Sequence, residues 1–211
     1  MKLDSIRREY KHTALSKKHV DKDPFVQFEK WIAETLELNE RDATSVALIT
    51  NGTDGFPQSR IVLLKGYNTE GFIFYTNYNS NKGSEIEKDP RIGLHFFWPD
   101  PERQIRISGF AEKTNIAQSE EYFHSRPPES QLAAVISDQS SEIPSRMYLE
   151  NKYDELKEKL DGEMPDCPKH WGGYLVKPIK FEFWQGRENR LHDRIVYEKE
   201  NNNWRIKRIA P

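Results

Sequence analysis

The sequence has little that could cross-link it, sink it into a bilayer or give it a strong charge. A single cysteine, Cys167, among 211 residues excludes an intrachain disulfide and fits a reducing compartment. No run approaches the roughly 20 apolar residues of a membrane helix. The opening stretch MKLDSIRREYKHTALSKKH has no apolar core, which argues against a secretory leader and for a cytoplasmic protein. The formal net charge of -2 demands neither nucleic acid nor an anionic membrane as partner. GxGxxG and GxxxxGK[ST] are both missing, so neither a Rossmann nor a P-loop nucleotide site is indicated. The histidines are scattered and Cys167 has only His170 near it, so no metal site is expected. A lone cysteine and dispersed serines give no support to a nucleophilic triad.

What the chain does have is aromatic residues, 12% of the total, and strand-like texture. Residues 1–22 read as a polar, basic, flexible arm, and 23–211 as one domain. Asp23-Pro24 opens a helix, with Asp as N-cap and Pro at the first position. Phe25, Phe28, Ile32 and Leu36 form its apolar stripe, and Asn39 is its expected end. TSVALIT, SRIVLLKGY, GFIFYTN, RIGLHFFW and RQIRISGFAEK then read as strands, with a short helix near SNKGSEIEKD. VALI and IVLL are continuously apolar, which predicts burial on both faces. Residues 115–160 read as about three helices divided by Pro127-Pro128 and Pro144. The strand YLVKPIKFEFWQ and the hairpin HDRIVYEKE/NWRIKRIA close the chain. Hairpin-length turns between most strands predict a mainly β, α+β fold: an antiparallel sheet closed into a barrel, with helices around it.

Several clusters could carry chemistry. If Arg190-Leu191-His192-Asp193-Arg194 is extended, Arg190, His192 and Arg194 share one face, suited to an anion; a solvated hairpin surface is the alternative. Arg60 and Lys65 bracket a buried-looking run, yet five residues of regular strand send them to opposite faces. FYTNYNSNKG ends a strand and starts a helix, where Ser80, Lys82 and free backbone N–H groups could cradle a phosphate; Ser80 could equally be only an N-cap. Tyr122, Arg126 and Ser130 fall at steps of four, one helical face unless Pro127-Pro128 redirects the chain. Together these groups suit one or two phosphorylated small molecules in an aromatic setting.

RREY (7–10), RIVLLK (60–65), FYTN (74–77), ERQIR (102–106), YFHSRP (122–127), SxQSS (137–141), FWQG (183–186), RLHDR (190–194) and RIAP (208–211) occur in this order. The series resembles that of the pyridoxine/pyridoxamine 5'-phosphate oxidases over nearly the whole chain. The resemblance implies an FMN-binding split β-barrel, a homodimer with its sites at the subunit interface, and oxidation of pyridoxamine or pyridoxine 5'-phosphate by dioxygen to pyridoxal 5'-phosphate and hydrogen peroxide. The FMN contacts it implies are Arg60, Ile61, Val62, Leu63, Leu64, Lys65, Tyr75, Thr76, Lys82, Gln104, Gln139, Ser140, Trp184 and Arg194. The implied substrate contacts are Lys65, Tyr122, Arg126, Ser130, Arg190, Leu191 and His192, with Arg190 and His192 as catalytic residues. Arg7, Arg8, Glu9 and Tyr10 match the segment that closes over the substrate.

One departure stands at Asn81, where the family usually has Arg before the Lys of the phosphate turn; weaker FMN retention is expected. Two rival readings remain. A flavin reductase or FMN carrier on the same barrel would need no second phosphate clamp. A single-strand nucleic-acid binder could stack bases on FIFYT, against which the net charge argues.

Overall fold

The computed structural model describes residues 14–38 and 42–211. Helix α1 (Pro24–Glu37) begins where Asp23 accepts the Phe25 N–H at 2.8 Å, so the cap and the Pro act as expected. Its buried face is Phe25, Phe28, Trp31, Ile32 and Thr35. Leu36 belongs to the other side and is 53% exposed, so the stripe runs through Trp31 and Thr35 instead. Phe28 is fully buried, with ring centroids 4.9 Å from Phe72, 5.0 Å from Tyr67 and 5.3 Å from Phe96. This aromatic cluster fixes the helix across the barrel.

Among the described residues, nine antiparallel strands form one sheet. They are β1 (Ser45–Asn51), β2 (Pro57–Leu63), β3 (Gly66–Asn68), β4 (Gly71–Asn77), β5 (Arg91–Trp98), β6 (Arg103–Lys113), β7 (Trp171–Gln185), β8 (Asp193–Glu200) and β9 (Asn203–Ile209). The order is β2-β1-β5-β6-β7-β4-β3, with the β8–β9 hairpin attached to β7. The late strand β7 closes the structure, as the returning strands of the sequence suggested. Its first part pairs with β4 (Tyr75 opposite Gly173), and its last part pairs with β8 (Trp184 opposite Arg194). It follows β6 throughout, with a bulge at Ser108/Gly109 that bends the sheet.

The apolar run in β2 departs from expectation. Ile61 is 66% and Leu63 46% exposed, because β2 is an edge strand paired only with β1. Among the described residues, nothing packs over the face that carries Ile61 and Leu63. SRIVLLKGY is also two strands, broken after Leu63.

Helix α2 (Asn81–Lys88) interrupts the strands, and α3 (Ile116–Ser125), α4 (Pro128–Ile136) and α5 (Arg146–Leu160) fill the predicted helical stretch. None of the described helices is long and apolar enough to cross a membrane. Residues 14–22 lie on the β8–β9 hairpin. Leu15 is buried, donates its N–H to Asp193 at 2.9 Å and accepts from Arg208 at 2.7 Å. Contact with the barrel therefore starts before Asp23. Three apolar side chains, Ala14, Leu15 and Val20, spread through a polar stretch have no periodicity to reveal the contact.

Candidate active site

Strand β4 ends at Asn77 and the chain turns at once into α2. Ser80 is fully buried and caps the helix, accepting from Gly83 N and donating to the Asn77 carbonyl at 2.7 Å. A Cβ at Gly83 would run into the Tyr78 carbonyl, so only glycine lets the helix start this close to the strand. Ser80 is thus the N-cap, and Lys82 is the group presented to the cleft. Its ammonium donates to Ser80 Oγ at 3.0 Å and to Gln139 Oε1 at 2.8 Å. Burial, then the nearby Arg60, pushes Lys82 down to about 8. A cation so destabilised favours an anion beside it.

The cleft that Lys82 lines has a volume of about 540 Å³. Of the residues predicted from sequence, Ile61, Val62, Leu63, Lys65, Tyr75, Thr76, Lys82, Tyr122, Arg126, Ser130 and Gln139 border it. Tyr122, Arg126 and Ser130 meet there, although not on one helix. Arg126 and Pro127 are extended, so α3 and α4 are separate elements turned toward the same space. Arg126 lies over the Trp171 ring, 4.8 Å from its centroid, and its Nη1 is buried without a hydrogen-bond partner. Burial lowers its pKa. Tyr75 stacks on Tyr122 at 3.9 Å, and both rings run nearly parallel to Trp171. Trp171 was missed by sequence reasoning. A tryptophan opening a strand just before Gly172-Gly173 was the available signal.

The remaining predicted residues stand elsewhere. Arg60 faces α2, donating to Glu85 at 2.8 Å and to Thr50 Oγ1. Leu64 is buried in the core and Ser140 is exposed, with φ 75°. Gln104 Oε1 lies 2.9 Å from His95 Nε2 on the β5–β6 ladder. Trp184, Arg190, Leu191, His192 and Arg194 gather near the other end of β7. The Trp184 and His192 rings are 4.7 Å apart. Arg194 donates to Glu182 at 2.7 Å and to the Ala210 carbonyl at 2.9 Å.

RLHDR is not one extended strand. Glu188–Arg190 form a 3-10 turn, and β8 starts only at Asp193. Asn189 (φ 56°) and Arg190 (φ 60°) are both left-handed, a conformation rare in succession for side-chain-bearing residues and common at functional sites. Period-two alternation therefore does not set the relation of Arg190 to His192. His192 Nδ1 accepts the Arg187 backbone N–H at 3.1 Å, which leaves the neutral ring's proton on Nε2. Burial, then Arg190, holds its pKa below the usual histidine value. Arg7, Arg8, Glu9 and Tyr10 lie outside the described residues.

An antiparallel split barrel whose cleft sets cationic and hydroxyl donors among stacked aromatic rings defines the class: a barrel with an anion-binding aromatic site. Residues 32–159 match the family described as pyridoxamine 5'-phosphate oxidase. Residues 171–211 match the pyridoxine 5'-phosphate oxidase C-terminal dimerisation region. The chain belongs to the pyridoxamine 5'-phosphate oxidase family. It is 50% identical over 208 residues to a pyridoxine/pyridoxamine 5'-phosphate oxidase of Hydrogenovibrio crunogenus, covering 97% of this chain and 96% of that protein. It is 48% identical to the protein of that name from Hahella chejuensis, over the full length of both. Among solved structures, PhzG from Burkholderia lata, in complex with tetrahydrophenazine-1-carboxylic acid, superposes with a TM-score of 0.88 at 26% identity, covering 94% of this chain and 98% of that one.

Proposed function

We propose that this protein oxidises pyridoxamine 5'-phosphate or pyridoxine 5'-phosphate to pyridoxal 5'-phosphate, using FMN and dioxygen and releasing hydrogen peroxide, with ammonia from the amine. The observation that carries this reading is the pair of cation centres in one aromatic cleft. Lys82 and Arg126 both line it, and neither makes an ion pair among the described residues. Two phosphates, one on each of two stacked rings, would satisfy both.

The donor set fits FMN. Lys82, already lowered by burial, gains a counter-ion from a phosphate, and Gln139 and Thr76 stand beside it, Thr76 Oγ1 being 3.4 Å from Gln139 Oε1. In this reading Arg60, Lys82, Gln139, Ser140 and Arg194 hold the phosphate end. Ile61, Val62, Leu63, Lys65, Tyr75, Thr76, Gln104 and Trp184 border the ring, while Leu64 stays in the core. When bound, FMN supplies the two-electron acceptor that dioxygen regenerates.

The chain's own part is to hold the substrate and set its protons. Lys65, Tyr122, Arg126 and Ser130 clamp the substrate phosphate, where the orphaned Arg126 Nη1 finds an acceptor. Arg190 and His192 face the reacting end, with Leu191 between them. His192, neutral with its proton on Nε2, donates to the ring hydroxyl oxygen beside the reacting carbon, and Arg190 favours that oxygen's anionic form.

The two residue sets border opposite ends of β7, Trp171 at one and Trp184 at the other, thirteen residues apart. At about 3.3 Å per residue this is up to roughly 40 Å of strand. A homodimer reconciles them if each site takes one set from each subunit. The exposed Ile61 and Leu63 on the β2 edge and the match to a dimerisation region support that arrangement.

The test is to purify the protein, read its flavin absorbance, and add pyridoxamine 5'-phosphate under air. Pyridoxal 5'-phosphate and peroxide in equal amounts are expected. A colourless protein that FMN cannot reconstitute would refute the reading.

A further inference from the structure

Glu85 is a carboxylate on α2 with only 6% exposure. Burying a charge is costly unless it is paired and hydrogen-bonded. Here it is both. Thr50 of β1 donates its hydroxyl to Glu85 Oε2 at 2.5 Å, and Arg60 of β2 reaches the same oxygen at 2.8 Å. Arg60 also donates to Thr50 Oγ1, which closes a triangle across three elements. Glu85 thereby fixes the direction of Arg60 and offsets its charge.

The triangle borders a second, smaller cleft of about 260 Å³, shared by Arg60, Asn81, Ser84 and Glu85 with the Thr53–Asp54 turn. Asn81 contributes no charge to it. Lys82 is one residue further along α2. The charged groups that act on Lys82 are Arg60 from β2, which opposes its protonation, and Glu85 from its own helix, which favours it. Ser80 and Gln139 touch it as neutral acceptors.

We propose that Glu85 is a positioning residue that sets how tightly this chain holds the FMN phosphate, aiming Arg60 while offsetting the positive charge the phosphate meets. The inference rests on the reading above that Arg60 and Lys82 hold that phosphate. It has two consequences of opposite sign. Glu85→Gln keeps an oxygen that can accept from Thr50 and Arg60, so the aim of the guanidinium survives. The net charge beside the phosphate rises by one, and FMN affinity at pH 6 should increase by about tenfold. At the same time Lys82 loses the carboxylate that favours its ammonium form. Its titration moves to lower pH, and FMN binding should decline earlier as the pH rises.

The experiment is titration of flavin-free protein with FMN between pH 6 and pH 9, followed by flavin fluorescence, with riboflavin as the phosphate-free control. Glu85→Gln should bind FMN more tightly than wild type at pH 6 and lose that affinity at lower pH than wild type does. Riboflavin affinity should not change. A purely structural role would weaken both ligands at every pH. Equal or weaker FMN binding at pH 6, or the same gain with riboflavin, overturns the proposal. If the amide variant does not fold, Glu85→Asp serves: it keeps the charge but is one methylene short of Arg60, so FMN affinity should fall while riboflavin affinity stays, and unchanged FMN affinity overturns the proposal. A wild-type protein that binds FMN while the amide variant gains nothing refutes only the role of Glu85. A wild-type protein that binds no FMN at any pH overturns the cofactor reading and the proposal with it.

Discussion

Arg126→Met separates what a residue does for the fold from what it does for the ligand. In the free protein the guanidinium is poorly placed: Nη1 is buried with no acceptor, and burial lowers its pKa. A buried donor left unsatisfied costs about 1–3 kcal/mol. The rings of Trp171 at 4.8 Å and Phe123 at 5.8 Å return about 0.5–2 kcal/mol through cation–π attraction. The two nearly cancel, and a methionine stem can still pack on Trp171. The melting temperature of the free variant should therefore stay within about 4 °C of wild type, since each kcal/mol moves a domain of this size by roughly 2–4 °C. With a phosphate present the balance changes. A charge-assisted hydrogen bond of about 1.5–3 kcal/mol is lost, which lowers kcat/KM for pyridoxamine 5'-phosphate roughly ten- to a hundredfold. Differential scanning fluorimetry measures the first effect and steady-state peroxide release the second, with unphosphorylated pyridoxine as the comparison substrate. If both substrates lose equally, or melting falls by more than about 8 °C, Arg126 is a structural residue and the reasoning fails.

Three other perturbations test separate parts of the site and fold. Arg190→Leu should lower turnover far more than FMN affinity. It should also raise the pKa of His192, whose depression owes part to that cation. Because the neutral ring is the working form, the acid limb of kcat/KM, which lies below the ordinary histidine value in wild type, should move upward; an unmoved limb with intact turnover removes Arg190 from the mechanism. Asn81→Arg should tighten FMN binding, by about 1.5–3 kcal/mol if the new guanidinium reaches the phosphate, and an unchanged affinity in fluorescence titration rules this out. Phe28→Ala should cost about 3–5 kcal/mol in chemical denaturation, because the ring is fully buried among Tyr67, Phe72 and Phe96. A loss below 1 kcal/mol would mean that the cluster does not anchor α1.

The barrel was legible because its strands are short, β-branched or aromatic, and separated by turns of hairpin length. GFIFYTN, RIGLHFFW and RQIRISGFAEK form strands over the stretches read from sequence. The errors came where a local rule met tertiary context. IVLL has the texture of a strand covered on both sides, yet its position at the sheet edge leaves Ile61 and Leu63 exposed. Leu36 fits the helical stripe by spacing, but Trp31 and Thr35 face the core. RLHDR alternates like a strand, and two left-handed residues break it. Glu85 and Thr50 escaped notice because buried pairing across 35 residues leaves no mark in sequence spacing. The resemblance named individual residues. It could not say that the chain itself gathers only part of them in one cleft.

The unsatisfied polar atoms show why that cleft is built as it is. Among the described residues, four buried side-chain atoms lack a hydrogen-bond partner: Arg126 Nη1, Gln131 Oε1, His170 Nε2 and the Tyr174 hydroxyl. Folded proteins rarely leave such groups, since each costs about 1–3 kcal/mol. Here all four fall in two short stretches, 126–131 and 170–174, one leading from α3 into α4 and the other opening β7. Both stretches reach Trp171, whose ring lies beneath Arg126 and beside Tyr122. Of the four, Arg126 borders the cleft; Gln131, His170 and Tyr174 do not line it, and the Tyr174 ring packs in the core against Phe74 and Tyr78. The Arg126 guanidinium, unsatisfied at Nη1 and facing the cleft, argues that this side is shaped for a polar ligand at some cost to the free protein. The rest of the barrel can sustain it because its core is closed by fully buried aromatic rings. An apolar side chain at Arg126 should therefore lower activity while leaving stability nearly unchanged, whereas truncating Phe28 costs stability directly.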